Sequence, residues 1–176
     1  MTEQLPYEVI RTFRDFEIRK YSDYDLVQYV GEGEFSSISS KAFRPLFQFI
    51  SGSNDSEQSI SMTAPVFQDS PKGKLHAVSF VMPKDMQTKD VPNPNDPNLI
   101  KTNVAGHLAA VMRFSGTWNE SRVNDKSEQL KNALAREGIQ TVGNFYFARF
   151  DPPWKPGFLR HNEVLIKVEM PSDEII

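Results

Sequence analysis

The chain holds 176 residues, 39% apolar and 24% charged, which suits one globular domain and not a disordered, collagen-like or coiled-coil chain. Twenty lysines and arginines against 23 aspartates and glutamates give a formal charge of −3, which argues against nonspecific binding to nucleic acid. The 12 prolines stand beside a complete lack of cysteine, so disulfides, thiolate metal sites and a thiol nucleophile are excluded. Met1 to Val9 lacks a basic stretch followed by an apolar one, and the longest apolar run, Leu108 to Met112, is too short to cross a bilayer. A cytoplasmic protein without a membrane partner is the expectation.

Tyr7 to Arg11, Phe16 to Tyr21 and Asp25 to Gly33 read as strands by composition and alternation. Ile38, Ala42, Leu46 and Phe49 then recur at steps of four, four and three, which places them on one face of a helix from Phe35 to Ile50. The cluster Ser36-Ser37-Ile38-Ser39-Ser40 reads as helix capping, and Gly52 and Asn54 close the helix. Pro45 falls inside this pattern, so the helix either begins only about a turn earlier or kinks there. Strands are expected at Ser59 to Phe67 and Lys74 to Met82, followed by a loop whose Pro83, Pro92, Pro94 and Pro97 forbid regular structure. Beyond it, strands at Leu99 to Val104 and His107 to Phe114 lead into a helix near Glu120 to Glu137 that Gly138 ends. Strands at Asn144 to Asp151 and Asn162 to Met170 complete the chain.

Two pseudo-repeats, about 25–83 and 107–171, each read strand, helix, strand, strand. Tyr29-Val30-Gly31 corresponds to Phe114-Ser115-Gly116, and Phe80-Val81-Met82-Pro83 to Val168-Glu169-Met170-Pro171. Neither repeat can bury an open sheet alone. The economical arrangement is a single α+β domain over 1–176, a distorted antiparallel β-barrel flanked by two helices.

Catalytic chemistry is hard to find. His76, His107 and His161 lack metal-ligand spacing from one another or from a carboxylate pair, and His76 reads as an edge or surface residue of its strand. No Gly-x-Ser-x-Gly elbow occurs, and Gly31-x-Gly33 lacks the third glycine and the parallel context of a dinucleotide site. Two features remain. Phe43, Phe47 and Ile50 form a second apolar stripe on the first helix, beside the core stripe, where one helix on one sheet needs only one. The other is Asp151-Pro152-Pro153-Trp154-Lys155-Pro156-Gly157-Phe158-Leu159-Arg160, a stiff loop combining rings with cations. That combination suits an amphiphilic anion. A plain structural alternative has both stripes as core, Trp154 closing the barrel end and Glu163 pairing Arg160.

Ile60-Ser61-Met62-Thr63-Ala64-Pro65-Val66, Phe80-x-Met82-Pro83, Tyr146-x-Ala148-x-Phe150-Asp151-Pro152-Pro153-Trp154-Lys155-Pro156 and Arg160-His161-Asn162-Glu163-Val164 together resemble the SOUL/haem-binding protein family. The resemblance spans nearly the whole chain. It implies a distorted antiparallel β-barrel with two flanking helices, and haem or another tetrapyrrole bound in a shallow hydrophobic cleft between the first helix and the loop joining the last two strands. Carried onto this sequence, the contacts are Phe43, Leu46 and Phe47 on the helix and Trp154 and Lys155 on the loop, Lys155 as a propionate partner. Arg44, Ile50, Phe158 and Arg160 join them by charge, stripe and proximity in sequence. Where some members carry a histidine proposed as an axial iron ligand stands Lys20, and two helix positions basic in another branch are Ser40 and Gln48. Haem, if held, is expected to be bound by its faces and propionates in a noncatalytic buffer or carrier. Alternatives are a sensor or partner-binding module like bacterial effector-binding domains, and a tetrapyrrole-processing enzyme.

Overall fold

A computed structural model describes residues 2–175, with the backbone alone for Pro71 and Lys72. In chain order it contains β1 (Glu3–Gln4), β2 (Glu8–Thr12), β3 (Glu17–Tyr21), β4 (Tyr24–Glu32) and α1 (Phe35–Ile50). There follow β5 (Thr63–Ala64), β6 (Val66–Lys72), β7 (Leu75–Val81), β8 (Leu99–Val104) and β9 (His107–Phe114). The chain ends with α2 (Glu120–Arg136), β10 (Gln140–Arg149) and β11 (Asn162–Glu169). These elements make an α+β fold in two compact units, Met1–Pro6 with Asp23–Ala105 and Tyr7–Ser22 with Gly106–Ile176.

In the first unit β7 lies between β4 and β6, and β4 also pairs β8, all antiparallel. Across this sheet runs α1, whose Ile38, Ala42, Leu46, Phe49 and Ile50 join Val27, Val78 and Phe80 in one core cluster. Pro45 lies well inside the helix rather than in its first turn. It cannot donate to the Lys41 carbonyl, and Lys41 is exposed, so water can serve that oxygen. The serines do not cap: Glu34 occupies the N-cap without a side-chain cap bond, and Ser36 to Ser40 are helical. Ser39 instead donates to Gln68 Oε1 at 2.8 Å while Gln68 Nε2 donates to the Phe35 carbonyl at 3.2 Å, fastening α1 to β6. At the other end buried Asn54 donates to the carbonyls of Phe49 and Gln58 and accepts from the N–H groups of Ser56 and Gln58, so all its polar capacity is used.

The strand expected over Ser59 to Phe67 is divided. Ahead of Pro65 only Thr63 and Ala64 pair, in parallel with Glu3 and Gln4, because Pro65 has no N–H with which to continue the ladder. β6 begins after it and runs on to Lys72, with a register shift between Asp69 and Lys72 that accommodates Pro71. His76, expected at an edge or surface, is 6% exposed: its Nδ1 lies 2.8 Å from Ser70 Oγ and its Nε2 3.1 Å from the Gly33 carbonyl. β7 is paired on both edges, and every residue from His76 to Val81 is buried, so both of its faces are covered.

In the second unit the order is β2, β3, β9, β11, β10, again antiparallel throughout. α2 buries Val123, Leu130, Ala133 and Leu134 and is capped by Asn119 Oδ1, which accepts from Arg122 N at 2.8 Å. It ends before Gly138 at φ +68°, as expected. β10 starts earlier than expected because Gly143, at φ +76°, supplies an irregularity between Val142 and Tyr146 that lets the strand bend while remaining paired.

A closed barrel is not formed. Among the described residues, β2 and β8 each pair one strand only, so the sheet keeps two free edges and does not close on itself. The outer strands explain this: β8 exposes Lys101 and Asn103, and β2 is exposed along most of its length, composition that suits a solvated edge.

Candidate functional site

The expected double stripe of α1 resolves into two different things. Leu46 is 0% and Ile50 5% exposed, so both are core residues and present no surface to a ligand. Phe43 and Phe47 are 47% and 51% exposed. One helical turn apart, their rings lie 6.0 Å between centroids and 13° from parallel. The edge contact of Phe43 with buried Phe80, at 5.6 Å and 68°, fixes the pair from below. Arg44 is exposed next to them and has no carboxylate partner among the described residues. The helix carries no Asp or Glu, so its own residues here combine flat apolar area with positive charge. It can take a flat ring system bearing an acidic group.

The proline loop belongs to the second unit. Trp154 and Phe158 are 83% and 77% exposed, so Trp154 covers no core. Lys155 Nζ is 2.7 Å from Asp151 Oδ1. Arg160 donates from Nε to the Lys155 carbonyl at 2.8 Å and from Nη2 to the Pro153 carbonyl. Both cations thus brace the loop from inside. Burial pushes the Asp151 carboxyl up, but the His161 N–H and the Lys155 ammonium outweigh it and leave it below its ordinary value. The loop is also fixed at its base, where Gly116 N donates to the Gly157 carbonyl at 2.8 Å. Gly116 has φ +112°, a backbone conformation that residues with a Cβ rarely adopt, so this anchoring position favours glycine.

Sequence reasoning missed a buried ionic group in this unit. Glu163 does not pair Arg160. Its Oε1 and Oε2 accept from Arg19 Nη1 and Nη2 at 2.8 and 2.9 Å, and Oε2 also lies 2.8 Å from His161 Nε2. Arg19 further bonds Glu17 at 2.6 Å and the Tyr21 hydroxyl at 3.1 Å, and stacks 3.9 Å over Tyr7. The signal was alternation: Arg19 shares a strand face with buried Tyr21. Lys20, the neighbour at the position of the absent axial histidine, is exposed. Among the described residues no group of three or more His, Asp or Glu gathers as a metal site, and no helix is long and apolar enough to cross a membrane.

A family model described as SOUL heme-binding protein matches residues 2–167. Heme-binding protein 2 of Mus musculus is 28% identical over 168 residues, covering 90% of this chain and 81% of that protein. Heme-binding protein 1 of Bos taurus is 26% identical over 130 residues, covering 70% and 67%. Among solved structures, the C-terminal domain of EcmrR superposes with a TM-score of 0.69 at 14% identity, covering 94% of this chain and 99% of that one. This last likeness is one of fold.

Proposed function

Since the chain belongs to the SOUL heme-binding protein family, we propose that it is a noncatalytic binder of haem or a related tetrapyrrole, acting as a buffer or carrier. The observation that carries this is the exposed, nearly parallel Phe43 and Phe47 pair beside the unpartnered Arg44. The macrocycle lies against the two rings, and Arg44 meets a propionate. Burying the exposed halves of these two rings is worth about 1.5–3 kcal/mol before association costs, to which Arg44 adds without a strong bond to iron. The expected role of Lys155 as a propionate partner requires it to exchange its bond to Asp151. The alternative reading, a small-molecule sensor, is disfavoured for cationic ligands by the positive, carboxylate-free surface of α1.

Hemin added to the purified protein should shift the Soret band saturably. In Phe43→Ser/Phe47→Ser the affinity should fall roughly tenfold or more. Binding that is equal in this variant removes α1 as the site, and no saturable shift for the wild type ends the proposal. Lys155→Gln, titrated in parallel, reports whether that side chain takes part.

A further inference from the structure

Between Asp151 and Arg160 every exposed residue is apolar: Pro153, Trp154, Pro156, Phe158 and Leu159. Trp154, Phe158 and Leu159 are 83%, 77% and 54% exposed, an unfavourable wetting of large side chains that the core of the unit does not need. The tip is stiff. Lys155 N donates to the Pro152 carbonyl at 3.1 Å and Leu159 N to that of Pro156 at 2.9 Å, in addition to the Arg160 braces. Rings presented in this way lose little conformational freedom on docking.

At the base of the loop lie the partly buried Arg149, Lys155 and Arg160, with Asp151 paired to Lys155. Arg149 lies 4.9 Å over the Trp118 ring and has no carboxylate partner among the described residues. Burial, with Arg160 nearby, lowers its pKa to about 10, which leaves it charged at neutral pH.

We propose that this loop docks onto a bilayer surface containing anionic lipids. Trp154, Phe158 and Leu159 enter the interfacial layer, and Arg149, Lys155 and Arg160 stay level with the phosphates. A protruding apolar tip fits a deformable layer, whereas a folded partner would need a matching hollow. Indole at headgroup depth with cations beside it is the arrangement that interface favours. The overall charge of −3 works against attraction at long range, so these cations have to act locally, where basic side chains near an anionic surface gain most. No spanning helix is involved. The inference goes beyond tetrapyrrole binding and does not rest on it.

The test uses ligand-free full-length protein with phosphatidylcholine vesicles, plain or carrying phosphatidylserine. Co-flotation with the anionic vesicles, weakening as salt rises, and a blue shift of tryptophan emission are expected. Trp154→Ser/Phe158→Ser should melt like the wild type, lose the blue shift and bind roughly tenfold or more weakly. Arg149→Gln should weaken binding to anionic vesicles while keeping the tip. Absence of flotation with anionic vesicles, equal binding to neutral ones, or undiminished binding by the double Ser variant would overturn the proposal. Because hemin is absent, these results leave the tetrapyrrole titration to be judged separately.

Discussion

Glu163 is the buried charge at the centre of the ionic group of the second unit. It is 1% exposed, and a charge so placed is tolerable only because Arg19 and His161 donate to it. Burial pushes its carboxyl up, yet the bonds from His161 and Arg19 prevail and hold it below the ordinary value of 4.5. A folded-state pKa depressed in this way contributes stability above the unfolded value, and the contribution is lost as pH falls through the folded one. Melting temperature should therefore decline on acidification below about 4.5. Glu163→Gln should flatten that decline while costing about 3–5 kcal/mol at neutral pH, since it strands the Arg19 charge. Urea titrations of both proteins across pH check this; parallel acid profiles would disprove the assignment. Single-sequence reasoning could place Glu163 on a strand but not choose its partner, because Arg160 is three residues away and Arg19 is 144. Partner choice over such a distance is made by strand pairing.

At the scale of elements, α1 was the most legible part of the chain. Its limits follow from a clear 3.6-residue period bounded by Glu34 and the Gly52 to Asn54 turn. Which stripe faced outward was less legible, because Ile50 is near enough in angle to both that only packing decides. Opposite outcomes are expected along the same helix. Leu46→Ala empties a fully buried position and should cost about 2–5 kcal/mol. Phe47→Ser should change stability by less than ~1 kcal/mol while weakening hemin binding. Comparable losses of stability at the two positions, measured by denaturant unfolding, would mean that Phe47 is a core residue. β5 and β6 were misread for a different reason. Ser59 to Phe67 has the composition of one strand, but the missing N–H of Pro65 splits it, and the parallel pairing with β1 leaves no periodic trace.

For the whole molecule, the runs β4, α1, β6, β7 and β9, α2, β10, β11 were readable because helices and strands carry different periods. Closure was not readable: it depends on whether the outermost strands find a partner, and no local pattern records that. The β2 and β3 hairpin, Tyr7 to Ser22, belongs to the second unit although the sequence of the first unit surrounds it on both sides. Glu17 to Tyr21 pair Val111 to His107, and Arg19 supplies the counter-charge of Glu163. Expressed without residues 1–105, the remainder should show no cooperative melt by circular dichroism, having an open β9 edge and a buried carboxylate that has lost Arg19 and keeps only His161. A sharp melt would contradict this. Such interleaving means that no single cut divides the polypeptide into its two units. A ribosome that has released residues 1–105 holds a hairpin waiting for β9, so the second unit cannot be completed until β9 and β11 are made, and Arg19 and Glu163, 144 residues apart, are bound to one folding event.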